Sequence, residues 1–123
     1  MGEYLYDDLT YVLIKLGYSV FNRLNFGYQE KYYQRAYAEE LIQNKLIYQK
    51  EQRIIITYNG KMIGRYFIDF LVENKVVIEL KVGKDFQPKH IGQVLGYLKA
   101  KELRVGLILL FTKDGLKIKR LIL

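Results

Sequence analysis

Between Arg65 and Lys81 the chain reads RYFIDFLVENKVVIELK, two short apolar runs joined by Glu73-Asn74, each carrying acids among residues suited to a buried strand. Read as strands, alternation sends Val76, Ile78, Leu80 and Val82 to one face and Val77, Glu79 and Lys81 to the other. Asp69 stands among Phe67, Ile68, Phe70, Leu71 and Val72, where a carboxylate is costly to bury unless its charge is compensated. Two carboxylates converging from neighbouring strands, with an ammonium two residues beyond one of them, suit an oxygen-ligand metal site with a cation beside it. The alternative stays open on these residues alone: Asp69 with Arg65, or Glu79 with Lys81, as salt bridges on the solvated face of an antiparallel hairpin.

The 123 residues have room for one ordinary core and not two, so 1–123 is expected to form a single domain. Half of the residues are hydrophobic and 27% are charged, a balance that excludes a disordered chain. No apolar run has membrane-spanning length, and MGEYLYDD is acidic where a secretory signal would be basic, so no membrane partner and a cytoplasmic location are expected. Without cysteine there are no disulfides and no thiolate metal ligands. Charge is divided unevenly. Through residue 60, seven Lys/Arg balance seven Asp/Glu, whereas thirteen basic residues face six acidic ones from residue 61 onward. The half that holds Asp69, Glu79 and Lys81 is therefore the basic half, which favours a polyanionic partner, nucleic acid being the commonest. A solubilising excess of charge is the other reading.

Along the chain, Leu5, Leu9, Val12, Leu13 and Leu16 recur at helical spacing and predict a helix over 3–17 that stops at Gly17. Turn-like Gly17-Tyr18 and Asn25-Phe26-Gly27 lead to a second helix over 28–46, with Glu30, Tyr33 and Tyr37 on one face and Glu30 suiting the helix dipole. EQRIIITY predicts a strand, Asn59-Gly60 a hairpin turn, 62–72 and 75–82 two more strands, and Gly64 a bulge or close approach. Pro88 opens a helix to about Lys101, with a core stripe of Ile91, Val94, Leu95 and Leu98, and with Lys89, Gln93 and Tyr97 on another face. RVGLILLF is apolar enough for a central strand, and LKIKRLIL follows as a charged edge strand. The order is ααβββαββ: an α+β fold with a mixed central sheet flanked by helices, since the third helix permits a crossover. Twelve tyrosines could stack unpaired bases, but most fall at core spacing, and Tyr33 in particular reads as packing with its hydroxyl tied to a neighbour. His90 reads as a surface position.

This pattern resembles the PD-(D/E)xK nuclease superfamily, of restriction-endonuclease-like fold. Asp69 stands where that family places its metal-binding Asp, and Glu79-Leu80-Lys81 is similar to its E-x-K element. Gln93 and Tyr97 resemble the Q-x-x-x-Y signature of exonuclease-type members, and Glu30 the additional acidic ligand of archaeal Holliday-junction resolvases. Gly27 to Tyr33 fits G-x-x-E-x-x-Y and so resembles the GxxExxY proteins, small prokaryotic members of the superfamily. Ile68 departs from the family's nominal Pro before the Asp.

The resemblance implies metal-dependent phosphodiester hydrolysis, with DNA the favoured substrate. Asp69, Glu79, the carbonyl of Leu80 and Glu30 would hold Mg²⁺ or Mn²⁺, and Lys81, Gln93 and Tyr97 would orient water or phosphate. Lys84, Lys89 and Arg65 are the expected nucleic-acid contacts, and relatives that cut paired strands suggest a homodimer. Two other classes stand beside this reading: a non-catalytic nucleic-acid-binding module on a nuclease fold, and a basic subunit that docks an acidic protein.

Overall fold

The computed structural model describes residues 5–123, so Glu3 and Tyr4, where the N-terminal helix was expected to begin, lie outside the described residues with the rest of MGEY. Helix α1 (Asp7–Leu24) forms on the apolar stripe, starting later than expected and running past Gly17. The stripe does not end at the glycine: Val20 continues it, and the helix gains buried surface until Asn25, whose φ is 61°. Gly17 serves packing rather than termination. A Cβ there would lie 3.1 Å from Leu109 and 3.2 Å from Leu116, so its absence sets how closely α1 sits on the sheet. Helix α2 (Glu30–Gln43) is shorter than the expected 28–46. It ends at Asn44 and the left-handed Lys45, where the Leu46 N–H donates to the Leu41 carbonyl.

Five strands follow: β1 (Tyr48–Tyr58), β2 (Lys61–Val72), β3 (Val76–Val82), β4 (Val105–Thr112) and β5 (Gly115–Ile122), with α3 (Pro88–Ala100) between β3 and β4. They lie side by side in chain order. Only β3 and β4 are parallel, which is the pairing that a crossover helix requires. The architecture is thus α+β, in the expected order ααβββαββ around a mixed sheet. Helices α1 and α2 cover one face, over Phe70, Ile78, Leu80, Leu109 and Phe111. On the other, α3 packs Val94, Tyr97 and Leu98 against Ile68, Leu71, Val77 and Ile108. Strand β4, covered on both faces, is buried along its whole length.

Strand β2 breaks its own alternation. Ile68 and Leu71 both pack under α3 although three residues apart, while Phe70 and Val72 face α1 and α2. The switch falls at Asp69. Pairing with β1 passes from Lys50–Phe70 to Gln52–Ile68 and skips Glu51 and Asp69, and Glu51 is left-handed with φ 52°. Pairing with β3 reaches Phe70–Ile78 and stops. Beyond that point β1 and β2 continue as a two-stranded arm to the Asn59-Gly60 turn. A register shift between Ile56 and Thr57, opposite Gly64 and Met62, is the irregularity expected at Gly64.

Candidate functional site

Where β2 and β3 part, backbone amides that a ladder would have used need other acceptors. The Asp69 N–H donates to Glu79 Oε1 at 2.9 Å, and the Leu80 N–H donates to Asp69 Oδ2 at 2.7 Å. The two acids therefore cross the gap in opposite directions, each replacing a backbone carbonyl. Glu79 is 2% exposed, so its charge cannot be met by bulk water. Lys81 Nζ lies 3.7 Å from Glu79 Oε2. The Glu79–Lys81 pair of the simpler reading exists, but in the interior rather than on a solvated face. Asp69 has no arginine partner among the described residues: Arg65 is exposed on the arm, 6.0 Å from the centre of the Phe67 ring.

One lysine cannot neutralise both the buried Glu79 and the half-buried Asp69, and the titration of the pair reflects that. Burial pushes the Glu79 carboxyl up to about 8; the Asp69 charge adds to the rise and Lys81 opposes it. Burial likewise raises Asp69, to about 6, against the lowering effect of its bond from the Leu80 N–H; the charge of Glu30 adds to the rise and Lys81 again opposes it. The two carboxyls titrate as a pair, and the charge on Asp69 makes Glu79 the weaker acid. A pair short of one positive charge and made only of carboxylate oxygens fits a hard divalent cation.

Glu30 stops one side chain short of the pair. Gln34 Nε2 donates to Asp69 Oδ1 at 2.9 Å and to Glu30 Oε2 at 3.4 Å, so Gln34 connects the two acids. Among the described residues, no three His, Asp or Glu side chains gather in an arrangement that could hold a metal ion. The G-x-x-E-x-x-Y segment explains how Glu30 arrives. Gly27, at φ 127°, takes a backbone angle that side-chain-bearing residues rarely adopt. The Tyr33 hydroxyl donates to the Asn25 carbonyl and its ring stacks on Phe111 at 4.2 Å, fastening the turn to the core. Tyr33 is the packing residue it was expected to be, and Glu30 enters in the first turn of α2.

Tyr97, expected on a polar face with Lys89 and Gln93, is instead 1% exposed and belongs to the core under α3. The helix lies close enough to the sheet to bury that side too. Gln93 is half-buried, and no hydrogen bond joins it to the acids among the described residues. His90 is half-buried beside Lys81 rather than fully on the surface, and burial lowers its pKa, with Lys81 and Lys89 adding to the effect. Lys84, Lys89 and Arg65 are exposed and scattered. Lys84 lines a separate cleft of about 620 Å³ with Phe26, Lys113 and Lys117.

The cleft that reaches Asp69, about 130 Å³, is lined by Lys31, Gln34, Arg35, Lys50 and Glu51. Its basic rim was missed in the sequence, as was Gln34, although Lys31 and Arg35, like Glu30 and Gln34, lie four apart on α2 and so share a face. Lys31 and Arg35 both lie over the Tyr32 ring, at 5.3 and 5.6 Å from its centre. Tyr66 was missed as well. Its hydroxyl would be 2.8 Å from a Cβ on Gly96, and burial with the nearby Glu79 charge raises its pKa. Alternation from Ile68 puts Tyr66 on the α3 face, and that was the available signal.

A protein-family model described as the PD-(D/E)XK nuclease superfamily matches residues 7–121. A solved structure described as the crystal structure of SSO0001 is similar in fold, with a TM-score of 0.54 at 16% identity; the match covers 93% of this chain and 77% of that one. Among curated proteins, none matches the sequence. No helix of the described residues is long and apolar enough to cross a membrane.

Both acids bind protons more tightly folded than unfolded, so they contribute stability at low pH that is lost as pH rises from about 3.8 through about 8. In chelator, the Tm should fall across that window. Glu79→Gln, which keeps the shape and removes the buried charge, should flatten the fall and raise Tm at pH 8 by several degrees. A wild-type Tm that climbs over the same window, or a Glu79→Gln protein less stable at pH 8, would contradict these electrostatics.

Proposed function

This chain belongs to the PD-(D/E)XK nuclease superfamily, and from that premise we propose that it is a divalent-metal-dependent nuclease hydrolysing phosphodiester bonds, with DNA the favoured substrate. The observation that carries the reading is the pair of buried Glu79 and half-buried Asp69, bonded across the β2–β3 gap with Lys81 beside Glu79. A module that only bound nucleic acid would gain nothing from two interior acids whose ionisation opposes folding near neutral pH. Within the superfamily, Gly27, Glu30 and Tyr33 favour the GxxExxY proteins as the nearest group.

In this reading Asp69, Glu79 and the Leu80 carbonyl hold Mg²⁺ or Mn²⁺, with Glu30 as an outer acid on the α2 side. When bound, such an ion lowers the pKa of a water and neutralises charge gathering on the phosphate. Gln34 fixes the rotamer of Asp69 through Oδ1 and so positions its other oxygen. Lys81, held close to Glu79, orients the attacking water or meets the charge developing on the phosphate oxygens. Tyr66 and Tyr97 close the α3 side against solvent. The rim of Lys31, Arg35 and Lys50 draws a polyanionic backbone toward Asp69, and these residues replace Lys84, Lys89 and Arg65 as the principal contacts beside the acids.

Asp69→Asn and Glu79→Gln should each lower cleavage by at least about a hundredfold, with folding intact, on a panel of duplex, branched and single-stranded DNA in Mg²⁺ or Mn²⁺. Chelator should stop the wild type. Digestion by either variant at the wild-type rate would remove the assignment. Lys31→Ala combined with Arg35→Ala should weaken DNA binding and reduce the steepness of its salt dependence by about one to two phosphate contacts, leaving turnover at saturating substrate largely unchanged. An unaltered salt slope would place the nucleic acid elsewhere.

A further inference from the structure

Among the described residues seven tyrosine and phenylalanine side chains are exposed, and three of them, Phe26, Tyr28 and Tyr32, fall within seven consecutive positions around the start of α2. Each is 43% to 48% exposed, close to what remains when one face of a ring is covered and the other is open. Single exposed rings are ordinary, but a group of them at one place marks a surface that meets something. The segment is also held rigidly. The Tyr33 hydroxyl donates to the Asn25 carbonyl and accepts from the Tyr28 N–H at 3.4 Å, while the Tyr33 ring stacks on Phe111. The Tyr28 ring meets Tyr32 and Tyr33 edge to face, at 6.3 and 6.1 Å.

These rings join the two basic clefts. At one end Phe26 lines the cleft of about 620 Å³ with Lys84, Lys113 and Lys117. Pockets for small ligands span about 300–1,000 Å³, so this one has room for a nucleotide. Lys117 is engaged by Asp85 at 3.5 Å and Asp114 stands in the same cleft, which leaves Lys84 and Lys113 as its cations unpaired among the described residues. At the other end Lys31 and Arg35 lie over Tyr32 and line the cleft that reaches Asp69. Tyr32 is thus taken up by cations, and Phe26 and Tyr28 are the rings with a face to offer. From Asn25 to Arg35 the one acid is Glu30.

We propose that the substrate strand is unpaired where it meets this protein, and that Phe26 and Tyr28 stack its bases. Lys31 and Arg35 on one side, and Lys84 and Lys113 on the other, hold its phosphates. A base in a duplex has both faces covered by its neighbours and shows only its edges in the grooves, so open ring faces gain nothing from paired DNA. An unpaired base offers a face to any flat aromatic whatever the sequence, and its backbone supplies phosphates to the flanking cations. The anchorage through Tyr33 favours this further, because rings already fixed lose little freedom on binding. The proposal rests on the nuclease reading for its partner, a nucleic acid, and narrows that partner to a strand running unpaired from the Lys84 cleft toward Asp69.

Binding is read in chelator, without cleavage, from the fluorescence anisotropy of labelled strands of about twelve nucleotides. The full chain should bind oligothymidine at least about tenfold tighter than a strand of abasic sites, which carries the same phosphates and no bases. It should also bind oligothymidine tighter than the thymidine–adenine duplex of the same length. Phe26→Ala combined with Tyr28→Ala should bring oligothymidine down to the abasic level, whereas Tyr11→Ala, which removes a still more exposed ring from α1, should change nothing. Equal affinity of the wild type for the thymidine and abasic strands, or tighter binding of the duplex, overturns the proposal, and neither result requires a variant to fold. A double variant that keeps the base preference, with its far-UV circular dichroism unchanged, also overturns it. Base preference without cleavage once Mg²⁺ is added would support this inference and remove the nuclease reading; cleavage without base preference would do the reverse.

Discussion

Two backbone amides, those of Asp69 and Leu80, lie where the β2–β3 ladder has ended, and both are satisfied by carboxylates reaching across the gap. Most other features near the centre of the molecule follow from this exchange. It lets a sheet buried on both faces tolerate two acids in its interior, because each acid makes a hydrogen bond that the fold would otherwise lack. It also ties their geometry to the backbone, so their relative placement is as fixed as the strands themselves. What it leaves unresolved is charge: Lys81 opposes the ionisation of both acids without cancelling it. The site is chemically unfinished without a proton or a cation.

The surrounding elements supply what that exchange requires. Strand β1 bends at Glu51, the residue skipped opposite Asp69, so the irregularity is shared by both strands and β2 can change faces without breaking the core. Helix α2 is anchored by Tyr33 on Phe111, and from it Gln34 reaches Asp69. Helix α3, pressed against β4 and β2, seals the opposite side with Tyr97 and Tyr66. The same departure of β2 from β3 that opens the site also releases the arm. A long two-stranded projection is thus a by-product of how the acids are positioned.

Much of this was legible in the sequence where a single physical signal dominated. Alternation in β3 separated Val76, Ile78 and Leu80 from Val77 and Glu79 correctly because both faces of that strand are packed. Asn59-Gly60, Pro88 and the uninterrupted apolar run of β4 marked the turn, the helix start and the central strand. Local rules failed where tertiary contacts overrode them. Gly17 looked like a helix stop because its role, admitting Leu109 and Leu116, depends on residues about a hundred positions away. The switch of faces at Asp69 is invisible to a period of two, which has no way to register a skipped pair. Tyr97 appeared polar-facing because four-residue spacing from Lys89 says nothing about how deep α3 sits. Gln34 and the Lys31–Arg35 rim were readable as helical neighbours of Glu30, but only the fold reveals that this face looks onto Asp69.

The account stands or falls on a divalent ion shared by the two strands. A crystal of the protein grown with Mn²⁺ and measured at the manganese absorption edge locates that ion without reference to activity. The account predicts an anomalous peak within coordination distance of both the Asp69 and Glu79 carboxylates. A peak confined to the surface, with none between the two carboxylates at saturating Mn²⁺, would contradict it.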